Sequence, residues 1–157
     1  MIHLTKRQLL AGGIAAAGTA TLVPAFAASR PLPKPRIVTY RDPNCGCCHK
    51  WVERAQAAGF AVEVREVPDI MTTKAKLGVP EALASCHTSV VGGYLVEGHV
   101  PLNAVKKLLD NRPKGITGIA VPGMPRGSPG METPDGAKDA FEVIAFNRQG
   151  ARGRFAA

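Results

Sequence analysis

Arg36-Ile37-Val38-Thr39-Tyr40-Arg41-Asp42-Pro43-Asn44-Cys45-Gly46-Cys47-Cys48-His49 reads as a strand delivered through a turn into the start of a helix. Residues 36–40 are rich in β-branched and aromatic side chains and predict a buried first strand. Asp42-Pro43-Asn44 is a turn signal. From 47 to 58 the period changes to that of a helix. Cys48, Trp51, Val52, Ala55 and Ala58 fall on one face, with Lys50, Glu53 and Arg54 on the other, and Gly59 supplies a stop. A pair of cysteines therefore sits where a strand hands over to a helix N-terminus. Trp51 is expected as a core aromatic.

Further along, residues 60–67 alternate, with Phe60, Val62 and Val64 on one side and Glu63 and Arg65 on the other, which predicts a strand with at least one buried face. A short helix is expected over 70–77, ended by Gly78, and another helical turn near 81–85. Residues 87–91 and 94–99 predict two strands joined at Gly92-Gly93, a two-residue hairpin signal. Pro101 opens a helix to about Leu109. The order β-α-β-α-β-β-α is the thioredoxin arrangement, an α/β fold whose mixed sheet has helices on both faces. Residues 121–136 are dominated by proline and glycine and exclude regular structure. The apolar, β-rich run Phe141–Phe146 predicts a return to the body of the protein, so this stretch is tethered at both ends and reads as a folded loop.

The first residues have a different character. Lys6 and Arg7 precede an apolar, small-residue run from Leu9 to Val23, followed by Ala25-Phe26-Ala27. That is the layout of a secretory signal peptide. Thr5-Lys6-Arg7-Gln8-Leu9-Leu10 is similar to a twin-arginine signal with Lys in the first Arg position, so either export route fits. The apolar run falls short of the roughly 20 residues of a spanning helix. The expected organisation is a signal peptide at 1–27, a proline-stiffened linker at 28–35, a thioredoxin-like domain carrying the cysteines at 36–120 and a C-terminal extension at 121–157. Cleavage near Ala27 places the protein in the periplasm with no further membrane attachment. The formal net charge is +8 over the whole 157-residue chain. Its positive residues are dispersed and few aromatics accompany them, which argues against a nucleic-acid partner. No interface stripe stands out, and a monomer is expected.

All four cysteines, Cys45, Cys47, Cys48 and Cys86, lie after the expected cleavage point. An oxidising compartment normally pairs cysteines, yet three of these fall within four positions. Cys45 and Cys48 keep the C-x-x-C spacing of thiol-disulfide enzymes, and a helix N-terminus favours thiolate over thiol. Cys47 is the unusual member. A redox dithiol needs two sulfurs, and a third competes by exchange. Three thiolates at one helix end repel one another unless a cation neutralises them. Soft thiolates and thioethers select Cu(I), zinc or iron–sulfur centres, and bridging sulfurs allow several Cu(I) ions to share a small ligand set. Cys86 stands just before the third strand, opposite the motif loop, as a fourth candidate ligand or redox partner; otherwise it is a small buried hydrophobe. His49 and His87 are secondary candidate ligands, and His99 ranks below them. Met124 and Met131, in the proline- and glycine-rich loop, are candidate thioether ligands or simple packing anchors. Glu132 reads as a surface acid.

Taken together, Cys45-Gly46-Cys47-Cys48-His49, Cys86-His87-Thr88-Ser89-Val90-Val91-Gly92-Gly93-Tyr94, Glu97-Gly98-His99-Val100-Pro101, Val121-Pro122-Gly123-Met124-Pro125 and Gly127-Ser128-Pro129-Gly130-Met131-Glu132 resemble the CopG-type periplasmic copper-resistance proteins. The resemblance spans about residues 36–146. It implies a thioredoxin-like domain whose C-terminal extension helps bind metal. It also implies a polynuclear, cysteine-bridged copper centre and a role in cycling copper between Cu(I) and Cu(II) during copper tolerance. The ligands it implies are Cys45, Cys47, Cys48 and Cys86, with Met124 and Met131 from the extension. Partners would be copper ions and a periplasmic efflux or electron-transfer protein. Two rival readings remain open from the residues: a disulfide oxidoreductase using Cys45 and Cys48 as its redox pair, and a structural zinc site built from Cys45, Cys48, Cys86 and a histidine.

Overall fold

The computed structural model describes residues 34–156. The expected signal peptide at 1–27 and most of the expected linker at 28–35 lie outside the described residues. Strand β1 (Arg36–Arg41) leads into helix α1 (Gly46–Ala57), then β2 (Ala61–Glu66) and α2 (Ile70–Leu77). A single 3-10 turn (Glu81–Leu83) precedes β3 (His87–Val91), β4 (Tyr94–Glu97) and α3 (Leu102–Asn111). Up to this point the order is the one the sequence predicts. Three strands follow: β5 (Gly118–Ala120), β6 (Ile144–Asn147) and β7 (Gly150–Arg154).

All seven strands form one mixed sheet in the order β2-β1-β3-β4-β5-β6-β7. The pairs β1–β2 and β4–β5 are parallel and the others antiparallel. The β3–β4 hairpin closes through Gly92 and Gly93, both at positive φ (56° and 88°), as a two-residue turn of this hand requires.

Alternation along the strands separates two apolar layers. On one face Ile37, Val91, Val96 and Ile119 meet Trp51, Val52 and Ala55 of α1 and Ala104, Val105 and Leu108 of α3. On the other, Leu95, Ala120 and Phe146 pack with Val79 and Leu83, which follow α2. Trp51 is fully buried, and its indole N–H donates to the Val100 carbonyl over 3.0 Å. That bond satisfies the one polar atom of the largest core side chain.

Two expectations change in detail. β2 lies at the sheet edge, so the alternation it shows is only weakly buried: Val62 is half-buried and Val64 is exposed. Arg36 and Arg65 both pair with Glu63 along that edge. The strand expected over 141–146 begins at Ile144, because β5 has only three residues and can pair no further than Ile144 to Phe146. Phe141 is left exposed. The proline- and glycine-rich stretch is a chain of turns held to the body. Gly127 N–H bonds the Met131 carbonyl (2.8 Å), Ser128 bonds Pro125 through both its N–H and its hydroxyl, and Arg126 forms a forked pair with Asp139.

Beneath α2, on the second face, lies a buried ion pair. Lys74 Nζ is 2.6 Å from Glu97 Oε1, and their side chains are 2% and 0% exposed. Lys74 also donates to Thr88 Oγ1, Thr88 donates to Glu97 Oε2, and the Ser85 backbone N–H donates to Glu97 Oε1. Burial raises the Glu97 carboxyl above its ordinary range, while Lys74 and Thr88 pull it back down. Removing one partner leaves a buried charge uncompensated, which costs about 3–5 kcal/mol. Lys74→Met is therefore expected to lose about that much stability at pH 7. The loss shrinks towards about pH 4.5 as Glu97, its pKa raised further by losing Lys74, takes up a proton in the folded state. Denaturant unfolding at the two pH values checks this, and an equal loss at both would contradict it.

Candidate metal centre

The motif loop is fixed before any metal is considered. Asp42 Oδ1 accepts the Asn44 N–H and the Asp42 carbonyl accepts the Cys45 N–H, closing the turn after β1. The Arg41 guanidinium reaches across this turn to the carbonyls of Asp42, Pro43 and Cys45, and is itself held by Glu66 at 2.6 Å. Cys45 occupies the N-cap position of α1 without a side-chain cap bond, and the first turn holds no acid. The unpaired N–H groups and positive end of the helix therefore face sulfur with no competing carboxylate.

Cys86 arrives from the opposite side. In the antiparallel pairing of β1 with β3, Arg41 stands opposite His87. The residue after β1 and the residue before β3 therefore leave the sheet at the same end. The Ser85 N–H is tied to Glu97, and the Ser85 hydroxyl donates to the Gly123 carbonyl of the loop.

Two sulfurs, Cys45 and Cys48, are joined in a disulfide, while Cys47 and Cys86 are free and half-buried. Cys47 Sγ is 3.5 Å from Cys45 Sγ and 3.7 Å from Cys86 Sγ. All four sulfurs lie within 4.8 Å of one another. Burial, then the adjacent Cys47 sulfur, push the Cys86 thiol up to about 12. A neutral thiol is the resting form of such a group, and a soft cation is what removes its proton.

Nitrogen donors adjoin the sulfurs. Cys86 Sγ is 3.3 Å from His87 Nδ1 and 3.0 Å from His99 Nε2, and these three atoms also lie within 4.8 Å of one another. Burial holds His87 well below its ordinary pKa and lowers His99 as well, so both rings are neutral at pH 7. His99 Nδ1 lies 2.8 Å from the Pro129 carbonyl. Since a carbonyl only accepts, the proton sits on Nδ1 and the Nε2 lone pair is directed at Cys86. This is the arrangement that orients a ligating imidazole. His87 Nε2 is buried without a hydrogen-bond partner, and its ring packs 4.9 Å from Trp51 and 5.1 Å from His99.

The loop also closes directly on the motif helix. A Cβ on Gly130 would lie 2.7 Å from the Trp51 backbone nitrogen and 3.2 Å from the Cys47 carbonyl, and φ at this residue is 87°. Only glycine fits both demands. Met131, the next residue, is half-buried, whereas Met124 is 55% exposed. His49 points outward, 3.4 Å from Glu53 and outside both donor groups. The structure brings His87 and His99 to Cys86 and leaves His49 outside, and sequence reasoning missed Arg41 and the Lys74–Glu97 pair. The one available signal for that pair was an acid in the same alternation as Leu95, which assigns Glu97 to a covered face.

The family model described as "Protein of unknown function, DUF411" matches residues 83–131. No curated protein matches the chain. Two solved structures, "Copper resistance protein copG- Form 2" and "Copper resistance protein copG- Form 1", are each 43% identical to it with a TM-score of 0.72. Each match covers 79% of this chain, and 98% and 97% of theirs respectively. A cysteine-rich C-x-C-C site on a mixed α/β fold, at this identity and over nearly the whole length of both relatives, shows that the chain belongs to the CopG copper-resistance family.

Proposed function

We propose that the protein acts in copper tolerance in the periplasm, holding Cu(I) among bridging cysteines and interconverting Cu(I) and Cu(II). The observation that carries this reading is the convergence of four cysteine sulfurs within 4.8 Å at one helix N-terminus. Four sulfurs so close cannot all be anionic without a cation between them, and a soft donor set selects a soft ion. Cys45, Cys47, Cys48 and Cys86 are the proposed ligands, with copper as cargo and more than one ion sharing the sulfurs. Met131 and Met124 would add thioether donors from the loop. His87 is a proposed nitrogen donor on the Cys86 side, joined by His99. Harder nitrogen beside sulfur is what makes Cu(II) accessible. His49, paired with Glu53, is the weakest of the proposed donors.

The remaining organisation is proposed on the same footing: a cleaved leader at 1–27, a linker at 28–35, a thioredoxin-like metal-binding domain at 36–120 and a metal-contacting extension at 121–157. Export, a monomeric state and hand-off to an efflux or electron-transfer partner complete the reading. Among the described residues no helix is long and apolar enough to cross a membrane.

The Cys45–Cys48 disulfide favours a second reading, a thiol-disulfide oxidoreductase that uses only this pair. The two readings part at Cys47. Anaerobic titration of the reduced protein with Cu(I) is expected to bind more than one ion per chain, and Cys47→Ser to lower that number. Stoichiometric zinc on isolation, or no Cu(I) uptake, would overturn the copper reading. Disulfide-reductase turnover that survives Cys47→Ser would favour the second. Closing the Cys45–Cys48 disulfide before titration removes two thiolates and is expected to weaken Cu(I) binding at least tenfold, measured by competition with a Cu(I) chelator. Equal affinity in the two forms would count against ligation by this pair.

A further inference from the structure

Cys47 has a disulfide sulfur on one side and a free thiol on the other, Cys45 Sγ at 3.5 Å and Cys86 Sγ at 3.7 Å. We infer that Cys47 and Cys86 form a second disulfide couple within the site, and that the Cys45–Cys48 bond exchanges with it through Cys47. This inference concerns metal-free protein and stands independently of the copper reading.

The exchange needs no outside oxidant. The Cys47 thiolate attacks Cys45 Sγ, a Cys45–Cys47 bond forms, and the Cys45–Cys48 bond breaks with Cys48 leaving as thiolate. Cys86, as thiolate, then attacks Cys47 Sγ, and Cys45 leaves in turn. The protons lost by Cys47 and Cys86 end on Cys48 and Cys45. One disulfide and two thiols are present before and after, so no electrons leave the protein. Attack proceeds from a thiolate on a neighbouring disulfide sulfur, and both required contacts are already at van der Waals distance.

Full oxidation is a separate step with a named oxidant. Starting from four thiols, each disulfide closed gives two electrons and two protons to the oxidant. The site therefore holds four electrons, twice the capacity of a simple C-x-x-C pair. Geometry supports closure of the second couple. Cys86 is held in place by the tether of Ser85 to Glu97, and Cys47 by its position in the first turn of α1 against Gly130. Their sulfurs stand 3.7 Å apart, and closure to a bond of about 2.05 Å asks for an approach of under about 2 Å. His99 Nε2 lies 3.0 Å from Cys86 Sγ and, like the Ser85 tether, fixes where that sulfur stands.

The trypsin map makes the test direct. Cys45, Cys47 and Cys48 share the peptide 42–50, and Cys86 lies in 77–106. A Cys45–Cys48 bond stays within the first peptide, whereas a Cys47–Cys86 bond joins the two. The full chain is reduced, freed of metal with a chelator and treated with the two-electron oxidant diamide. Free thiols are then alkylated and the digest is read by mass spectrometry. One equivalent of diamide is expected to leave two alkylated cysteines, with a measurable fraction of the linked 42–50/77–106 species. Excess diamide is expected to leave none alkylated, in a monomeric chain. In the Cys45→Ser/Cys48→Ser variant, one equivalent is expected to close the Cys47–Cys86 bond alone. Cys47 and Cys86 remaining alkylated in wild-type protein under excess oxidant, or pairing only between molecules, would overturn the inference. Fragmentation of the wild-type linked species decides the matter even if the variant does not fold: a crosslink on Cys47 is expected, and one only on Cys45 or Cys48 would overturn the inference.

Discussion

The register of β1 on β3 places the last residue of the first strand opposite the first residue of the third, Arg41 against His87. From that pairing follow the exit points of two segments whose nearest cysteines in sequence, Cys48 and Cys86, are 38 residues apart. A slip of one residue would turn every side chain of one strand to the other face of the sheet. Ile37 and Val91 would then leave the layer they share with Trp51, and Cys86 would no longer meet the motif. The apolar layer beneath α1 and α3 therefore enforces the chemistry above it. Burial of a side chain such as Ile37 or Leu108 contributes about 1.5–3 kcal/mol, and all of these contributions favour the one register.

Local devices refine what the register sets. Arg41, anchored by Glu66, spans three carbonyls of the motif turn. The Lys74–Glu97 pair holds the Ser85 N–H next to Cys86. The 121–131 loop adds a third clamp through Gly130 on α1 and Pro129 on His99. A buried ion pair is a poor source of net stability against a well-packed apolar alternative. Its directional bonds give this one a positional role: Glu97 accepts from three different segments, α2, the turn before β3 and β3 itself.

The hydrophobic period carried the sequence reading from β1 to α3, because each of those elements buries one face in a regular pattern. Cys48, Trp51, Val52 and Ala55 announce α1, and Gly92-Gly93 announces the hairpin. Glycine- and arginine-rich β7 carries no such pattern, and it exists because β6 offers it a partner across the Asn147–Gly150 turn. β5 is three residues long and takes its place from β4 and β6 rather than from propensity. The cysteine motif was legible as a soft-ligand cluster from crowding alone. The approach of His99 to Cys86 was less so, since it depends on the turn after β4 and on the Pro129 carbonyl that holds the ring.

Sulfur crowding at a helix N-terminus is the basis of the copper assignment. Once the Cys45–Cys48 bond is reduced, four thiols, one of them raised to about 12 by burial and a neighbouring sulfur, would give up their protons to a soft ion far more readily than to solvent. X-ray absorption at the copper edge, on reduced protein loaded anaerobically with Cu(I), tests this most directly. The account predicts a sulfur-dominated coordination shell with copper–copper scattering from bridged ions. A shell of nitrogen and oxygen alone around isolated copper would contradict it.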